Sequence, residues 1–320
     1  MRALARLIVS GPWQAAGVVS LCTVLSFVAL AASTPVAYIL TIPLALLGYV
    51  GSGALALYVL HQGIRPGLVV LLGTAVATAL LGQLLVQQGA AVVIAASPTW
   101  VPVVVAAAVL RSTRSLAMAM LVLSALAMLA VLVVYLFYGD PAPWWQQLLQ
   151  GRVDRLVASE PELKTAAGSL SGFVDQLAPL MTGSLAAALA LAALACLLLG
   201  RWWQSLLVKP GALRGEFYAL RLNGSLSLAG AAIVGVASLK LGVLSSIALQ
   251  WSLIVMVVFF FVGLAVLHAT LANLKAAKIW LVVAYVLMSL SLQALLMVAV
   301  IGLLDPWLDL RRRTARAGSN

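Results

Sequence analysis

The chain has 320 residues, 64% of them hydrophobic and only 8% charged, with a formal net charge of +11. A soluble domain carries about 25% charged residues, so this composition excludes a globule that covers its own surface in water. The basic residues stand in small groups at the ends of apolar runs, which argues against a nucleic-acid face and marks them as topology signals.

Several apolar runs reach the roughly 20 residues that a helix needs to cross the hydrocarbon. Helices satisfy their own backbone hydrogen bonds in lipid, and the Leu/Val/Ala runs lack the two-residue alternation of a membrane barrel. The expected fold is all-α, a polytopic transmembrane helical bundle with the lipid bilayer as its surroundings. Nine apolar segments are candidates: 15–32, 36–60, 67–86, 90–110, 115–138, 184–200, 222–243, 251–272 and 279–304. They divide the chain into N-terminal helices (1–138), an amphipathic insert (139–183), C-terminal helices (184–304) and a basic tail (305–320).

At the start, "MRALAR", an apolar run and "ALAAS" resemble a signal peptide. The expectation is a retained first helix, because further spans follow at once. The run 36–60 carries Pro43 and "GYVGSG", and 90–110 carries "SPTWVP" with Pro98 and Pro102. One of these two is expected to be broken, as a re-entrant segment lining a cavity, and Trp100 in the second is therefore a candidate solute contact.

After 115–138 comes the long polar insert. It holds five of the eight acidic residues (Asp140, Asp154, Glu160, Glu162 and Asp175) against three basic ones. In "WWQQLLQGRVDRLVASEPEL", Trp145, Leu148, Leu149, Val153, Leu156 and Val157 share one helical face, with Gln146, Gln150, Asp154 and Arg155 away from it. A second amphipathic helix is expected from Glu162. Such a pair lies on the membrane surface, covers a cavity or docks a partner.

The segment 201–221, "RWWQSLLVKPGALRGEFYALR", is basic, with Arg201, Lys209, Arg214 and Arg221. In the next span Lys240 interrupts the run. If a helix starts just after Arg221, Lys240 lies nineteen residues on, roughly 28 Å away and near the opposite interface. A later start would bury it as a functional charge, so it stays a weak substrate-binding candidate. His268, near the end of 251–272, is another. "GAAIVGVAS", with Ala231 and Gly235 four apart, and the glycines 48, 51 and 53 would allow close helix contact. Trp13, Trp202, Trp203, Trp251, Trp280 and Trp307 stand at the ends of apolar runs as interfacial anchors.

The positive-inside rule puts both termini in the cytoplasm, on Arg2 and Arg6 at one end and Arg311, Arg312, Arg313 and Arg316 at the other. The acidic insert belongs outside. Nine spans cannot leave both termini on one side, and Lys275 with Lys278 competes with the tail arginines. Eight spans are preferred. The compartment is the bacterial cytoplasmic (inner) membrane, multi-pass.

No catalytic constellation is present in the sequence. His61 and His268 lack the His-Glu spacing of a metalloprotease, there is no phosphate loop for ATP, and "GSLSG" at 168–172 lacks the strand–turn–helix setting of a nucleophile elbow. Cys22 and Cys196 fall inside apolar runs, as small packing residues do. No enzyme activity, metal or cofactor is expected.

"TIPLALLGYVGSG" (41–53), "GEFYALRLN" (215–223) and "GLLDPWLDLRRR" (302–313) together resemble the YybS-like family of bacterial predicted multi-pass membrane proteins. The resemblance covers most of the chain and is specific mainly in its C-terminal third. Leu310 departs from it where an aromatic residue is expected. It implies Glu216, Arg221, Gly302, Asp305, Asp309 and Arg311 as family positions, and a distant similarity to the substrate-binding membrane subunits of energy-coupling-factor vitamin transporters. Those work with cytoplasmic ATPases and a coupling protein.

Elementary electrostatics gives the same residues a plainer role. Asp305 and Asp309 share a helical face at the cytoplasmic surface, Arg312 and Arg313 reach Asp309, and Glu216 reaches Arg221 or Arg214. That makes either a latch on the last helix or a docking face for a cytoplasmic or membrane partner. The expected function is binding or helping to transport a small solute, without an ATPase of its own. The rival is a structural or regulatory membrane protein acting through partners.

Overall fold

The computed structural model describes residues 1–31, 35–274 and 279–317. Lys275 and Lys278 lie outside the described residues. Among those described there is no strand. Among the described residues six helices are long and apolar enough to cross a membrane, or seven if one bent pair is counted as a span. By helix length and composition the chain is a multi-pass integral membrane protein. About eight spans were expected, and among the described residues Pro12–Val28 and Gly224–Ala237 are further, shorter apolar stretches beside these six or seven.

The helices are α1 (Arg2–Val9), α2 (Pro12–Ala31), α3 (Pro35–Gln62), α4 (Ile64–Val86), α5 (Gly89–Thr113), α6 (Leu116–Tyr138), α7 (Ala142–Ser159), α8 (Ala167–Leu177), α9 (Met181–Val208), α10 (Ala212–Tyr218), α11 (Gly224–Ala237), α12 (Val243–Asn273), α13 (Ile279–Leu290), α14 (Leu292–Leu308) and α15 (Leu310–Ala317). They pack as two units. The first is Met1–Leu123 with Leu189–Leu220, and the second is Ser124–Ala188 with Arg221–Asn320.

In the first unit α2 packs on α3 and α4, and α5 on α3 and α4. Small residues permit this. A methyl group at Gly200 would meet the carbonyl oxygen of Gly53, and one at Gly53 would meet Leu199. Neither α3 nor α5 is broken, contrary to the sequence expectation. Pro98 has no N–H for the Ile94 carbonyl, and the Ser97 hydroxyl donates to that carbonyl instead, at 2.9 Å. Trp100 is only 2% exposed inside the same helix, a core residue. Trp203 is also buried, at 1%, so it is not an interfacial anchor.

In the second unit α12 is the central element. Its Gln250, 1% exposed, donates to the Pro179 carbonyl and accepts from the Gly183 amide, while Trp251 Nε1 donates to the Met128 carbonyl at 3.1 Å. These bonds bring the starts of α9 and α12 and the middle of α6 together. Asn273, at the other end of α12, is 23 residues from Gln250, roughly 35 Å along a helix. That is close to the hydrocarbon thickness plus a margin.

The insert forms α7, a 3₁₀ turn (Pro161–Ala166), α8 and a second 3₁₀ turn (Ala178–Leu180). Gln146 donates to Asp175 at 2.7 Å and Gln150 to Ser171 at 3.1 Å. The polar side of α7 therefore faces α8, and no α7 residue is fully buried. Leu148 and Leu156 on its apolar side remain exposed, as in a helix that lies on a membrane surface.

The real break in the spans is at Ser291. There α13 and α14 meet at a bend of 118°, with Ser291 extended (φ −140°, ψ 119°) and capping α14 through its side chain. The run 279–304 expected as one span is thus a bent pair. Asn273 Nδ2, at the end of α12, donates to the Arg311 carbonyl at 3.1 Å. The chain leaves α12 and comes back to the same end of it. α14 packs tightly on α12: a methyl at Gly302 would collide with the Phe259 carbonyl oxygen, and one at Gly263 with that of Val298.

Candidate functional site

Three helix C-termini meet at one end of the first unit: those of α3, α5 and α9. Orphan carbonyls at such ends carry partial negative charge and attract cations. Arg111 answers this directly, with Nη1 donating to the Leu60 and His61 carbonyls at 2.6 Å each. Gln204 Nε2 donates to the same Leu60 carbonyl at 3.0 Å. Arg114 closes α5 in the left-handed conformation, φ 54°.

Beyond this capping lies a cleft of about 1050 Å³. Arg111, Arg114, Arg201, Lys209 and Arg214 line it, with Glu216 as its one carboxylate, over an apolar floor of Leu60, Leu110 and Val208. Arg201 is committed: it makes a bidentate pair with Glu216 and donates to Gln204 at 3.0 Å. Arg214 donates to the Tyr218 hydroxyl at 3.1 Å and stacks on that ring at 5.2 Å. Among the described residues no carboxylate pairs with Arg114, Lys209 or Arg214. Three cations therefore point their charge at the cleft with nothing anionic to balance it.

Glu216 was expected to pair with Arg221 or Arg214. Its partner is Arg201, because α10 folds back beside the end of α9. The other named charges gather in the second unit. Asp305 is fully buried, not at a surface, since Gly302 one turn earlier draws α14 against α12. Its Oδ2 lies 3.1 Å from Arg311 Nη2 and 3.5 Å from Arg221 Nε. Asp309 meets Arg221 at 2.5 Å and Arg312 at 3.3 Å. Burial pulls the Arg311 guanidinium below its ordinary range, and Asp305 beside it pulls the other way. Each carboxylate of this network is answered from within the chain.

The remaining candidates stand apart. α11 has 14 residues rather than the length expected from Arg221. It ends at Ala237, so Lys240 lies in the loop before α12, exposed. His268 Nε2 lies 2.8 Å from the Tyr285 hydroxyl, a pairing between α12 and α13. "GSLSG" is helical, wholly inside α8. Cys22 and Cys196 are free. Among the described residues no three of His, Cys, Asp and Glu come together as a metal site requires.

The sequence reading missed the basic cleft because it took Arg111, Arg114, Arg201, Lys209 and Arg214 one at a time, as topology marks. The signal was available in the count: Arg111 and Arg114 at the end of α5, with Arg201, Lys209 and Arg214 about the end of α9 and in α10, are five cations against the single carboxylate Glu216. Comparison with protein-family models, curated proteins and solved structures finds no match.

Proposed function

We propose that this chain is a non-enzymatic protein of the bacterial inner membrane that binds, or helps to move, a small anionic solute without an ATPase of its own. The observation that carries the reading is the cleft lined by three cations, Arg114, Lys209 and Arg214, that no carboxylate pairs with among the described residues. Guanidinium groups recognise phosphate and carboxylate through paired, charge-assisted hydrogen bonds, so a phosphate-bearing solute suits Arg114 and Arg214 best. The resemblance to the YybS-like family, and through it to solute-binding transporter subunits, agrees with this reading and adds only analogy. Action through a partner protein has less support, because Asp305, Asp309 and Arg311 are occupied with one another.

The test is equilibrium binding of inorganic phosphate, pyrophosphate and glycerol phosphate to the purified chain in nanodiscs. A charged hydrogen bond contributes about 1.5–3 kcal/mol, and each 1.4 kcal/mol is tenfold. The double variant Arg114→Ala/Arg214→Ala should then bind at least about a hundredfold more weakly, and wild-type affinity should fall as salt rises. Binding that the double variant leaves intact, or none by the wild type, would sink the proposal.

The orientation within this reading has its own check. Lys240 lies by the start of α12 and Arg313 lies by its end, so the two belong to opposite faces. Cysteine at 240 should react with a membrane-impermeant thiol reagent on intact cells. Cysteine at 313 should react only after the membrane is opened. The reverse pattern would put the termini outside.

A further inference from the structure

A second concavity, of about 630 Å³, lies wholly in the second unit where α6 ends and α7 and α9 begin. It has no part in the basic cleft. Val134 and Leu185, one turn inside the apolar helices, line it together with Tyr138, Trp144 and Trp145, of which Tyr138 is largely exposed. Asp140 is the one carboxylate among the lining residues. We propose that this pocket binds a quaternary ammonium group, carried either by a lipid headgroup or by a free solute.

Three features point to that chemistry. The lining includes aromatic rings, and a ring face attracts a cation through its quadrupole, most strongly for tryptophan. The rings are held: Trp145 Nε1 donates to Thr182 Oγ1 at 2.8 Å, and Trp144 packs edge-on against Trp145 with centroids 4.7 Å apart. The lining carries charge of the right sign. Asp140 accepts from the Ala142 amide at 3.0 Å through one oxygen, and no cation pairs with it among the described residues.

A primary ammonium would need up to three hydrogen-bond acceptors; the side chains lining this pocket offer the Asp140 carboxylate and the Thr182 hydroxyl, both already in partial use, and the largely exposed Tyr138 hydroxyl. A quaternary ammonium donates no hydrogen bond and needs only ring faces and a counter-charge. Isolated interfacial anchors explain exposed aromatics at a helix end, but they do not require two packed tryptophans, a tyrosine and a carboxylate to line one concavity. The insert that supplies α7 also has five acidic residues against three basic ones, which favours a cation in the surroundings.

The experiment is equilibrium binding of radiolabelled choline to the purified full chain in maltoside micelles. Competition by tetramethylammonium is compared with competition by 3,3-dimethylbutan-1-ol, the uncharged carbon analogue of choline. Saturable binding that tetramethylammonium displaces and the neutral analogue does not is the expected result. Trp144→Leu and Asp140→Asn should each weaken it about tenfold, the order of one desolvated cation–ring contact, while Trp144→Phe should keep most of it. Trp144 is 59% exposed, so its replacement leaves the packing of α7 in place. In nanodiscs of mixed phosphatidylcholine and phosphatidylglycerol, native mass spectrometry distinguishes the sources. Choline binding in lipid-free micelles assigns a free solute, and selective retention of phosphatidylcholine without it assigns the headgroup. Equal competition by the neutral analogue, binding indifferent to both Trp144→Leu and Asp140→Asn, or no binding of choline or phosphatidylcholine would overturn the proposal.

Discussion

Asp305→Ala is expected to destabilise the protein by about 3–5 kcal/mol, the usual result of removing one partner from a buried ion pair. The carboxylate is fully buried and lies within 3.5 Å of two guanidinium groups. Without it Arg311, itself 9% exposed, keeps its charge in a place water reaches poorly. Its neighbour Arg221 then adds repulsion. Asp309 offsets only part of this, because Arg221 and Arg312 already engage it. The diagnostic is a double-mutant cycle by chemical unfolding in mixed micelles. Asp305→Leu combined with Arg311→Met should recover most of the loss, since an apolar pair of similar volume replaces a buried ion pair at little or no penalty. A mild single-variant effect would mean that the network does not fix α14 and α15.

Gly302→Val should be at least as damaging, at about 3 kcal/mol or more. Overpacking a well-filled site typically costs about 1–3 kcal/mol when side chains can give way. Here the obstacle is the backbone of α12, at the carbonyl of Phe259 and the amide of Gly263, and backbone cannot rotate aside. The same reasoning makes Gly263→Val severe. Gly235→Ala is the internal control. A methyl there meets nothing within 4 Å, and removing a helical glycine should stabilise by about 0.5–1 kcal/mol. Thermal unfolding of the three variants in one detergent decides it. Equal tolerance at 302 and 235 would contradict the close approach of α12 and α14.

The long spans were legible because each is a run of apolar residues with no competing signal. The breaks were not. Pro98 suggested an interruption that a single hydroxyl, that of Ser97, removes. The break at Ser291 sits in "LMSLSLQAL", which carries neither proline nor glycine and reads as uninterrupted span. What stops α13 is tertiary: α14 must run along α12 to seat Gly302. The charged residues of the second unit were picked out from short patches, while burial of Asp305 depends on that same packing. The Arg201–Glu216 pair was out of reach for the converse reason. It depends on how the fourteen residues between the two fold back, which no local spacing specifies.

The hydrogen bond from Asn273 to Arg311 has a meaning for membrane insertion. α13 has 12 residues, about 18 Å, too short to cross. A segment that starts and finishes at one leaflet adds nothing to the parity of crossings. In such an arrangement the arginines at 311, 312 and 313 stay out of the hydrocarbon, where each would cost about 2.5–3.5 kcal/mol on insertion scales. The Asn273 bond holds the start of α15 beside the end of α12, so the tail and that end of α12 share one side.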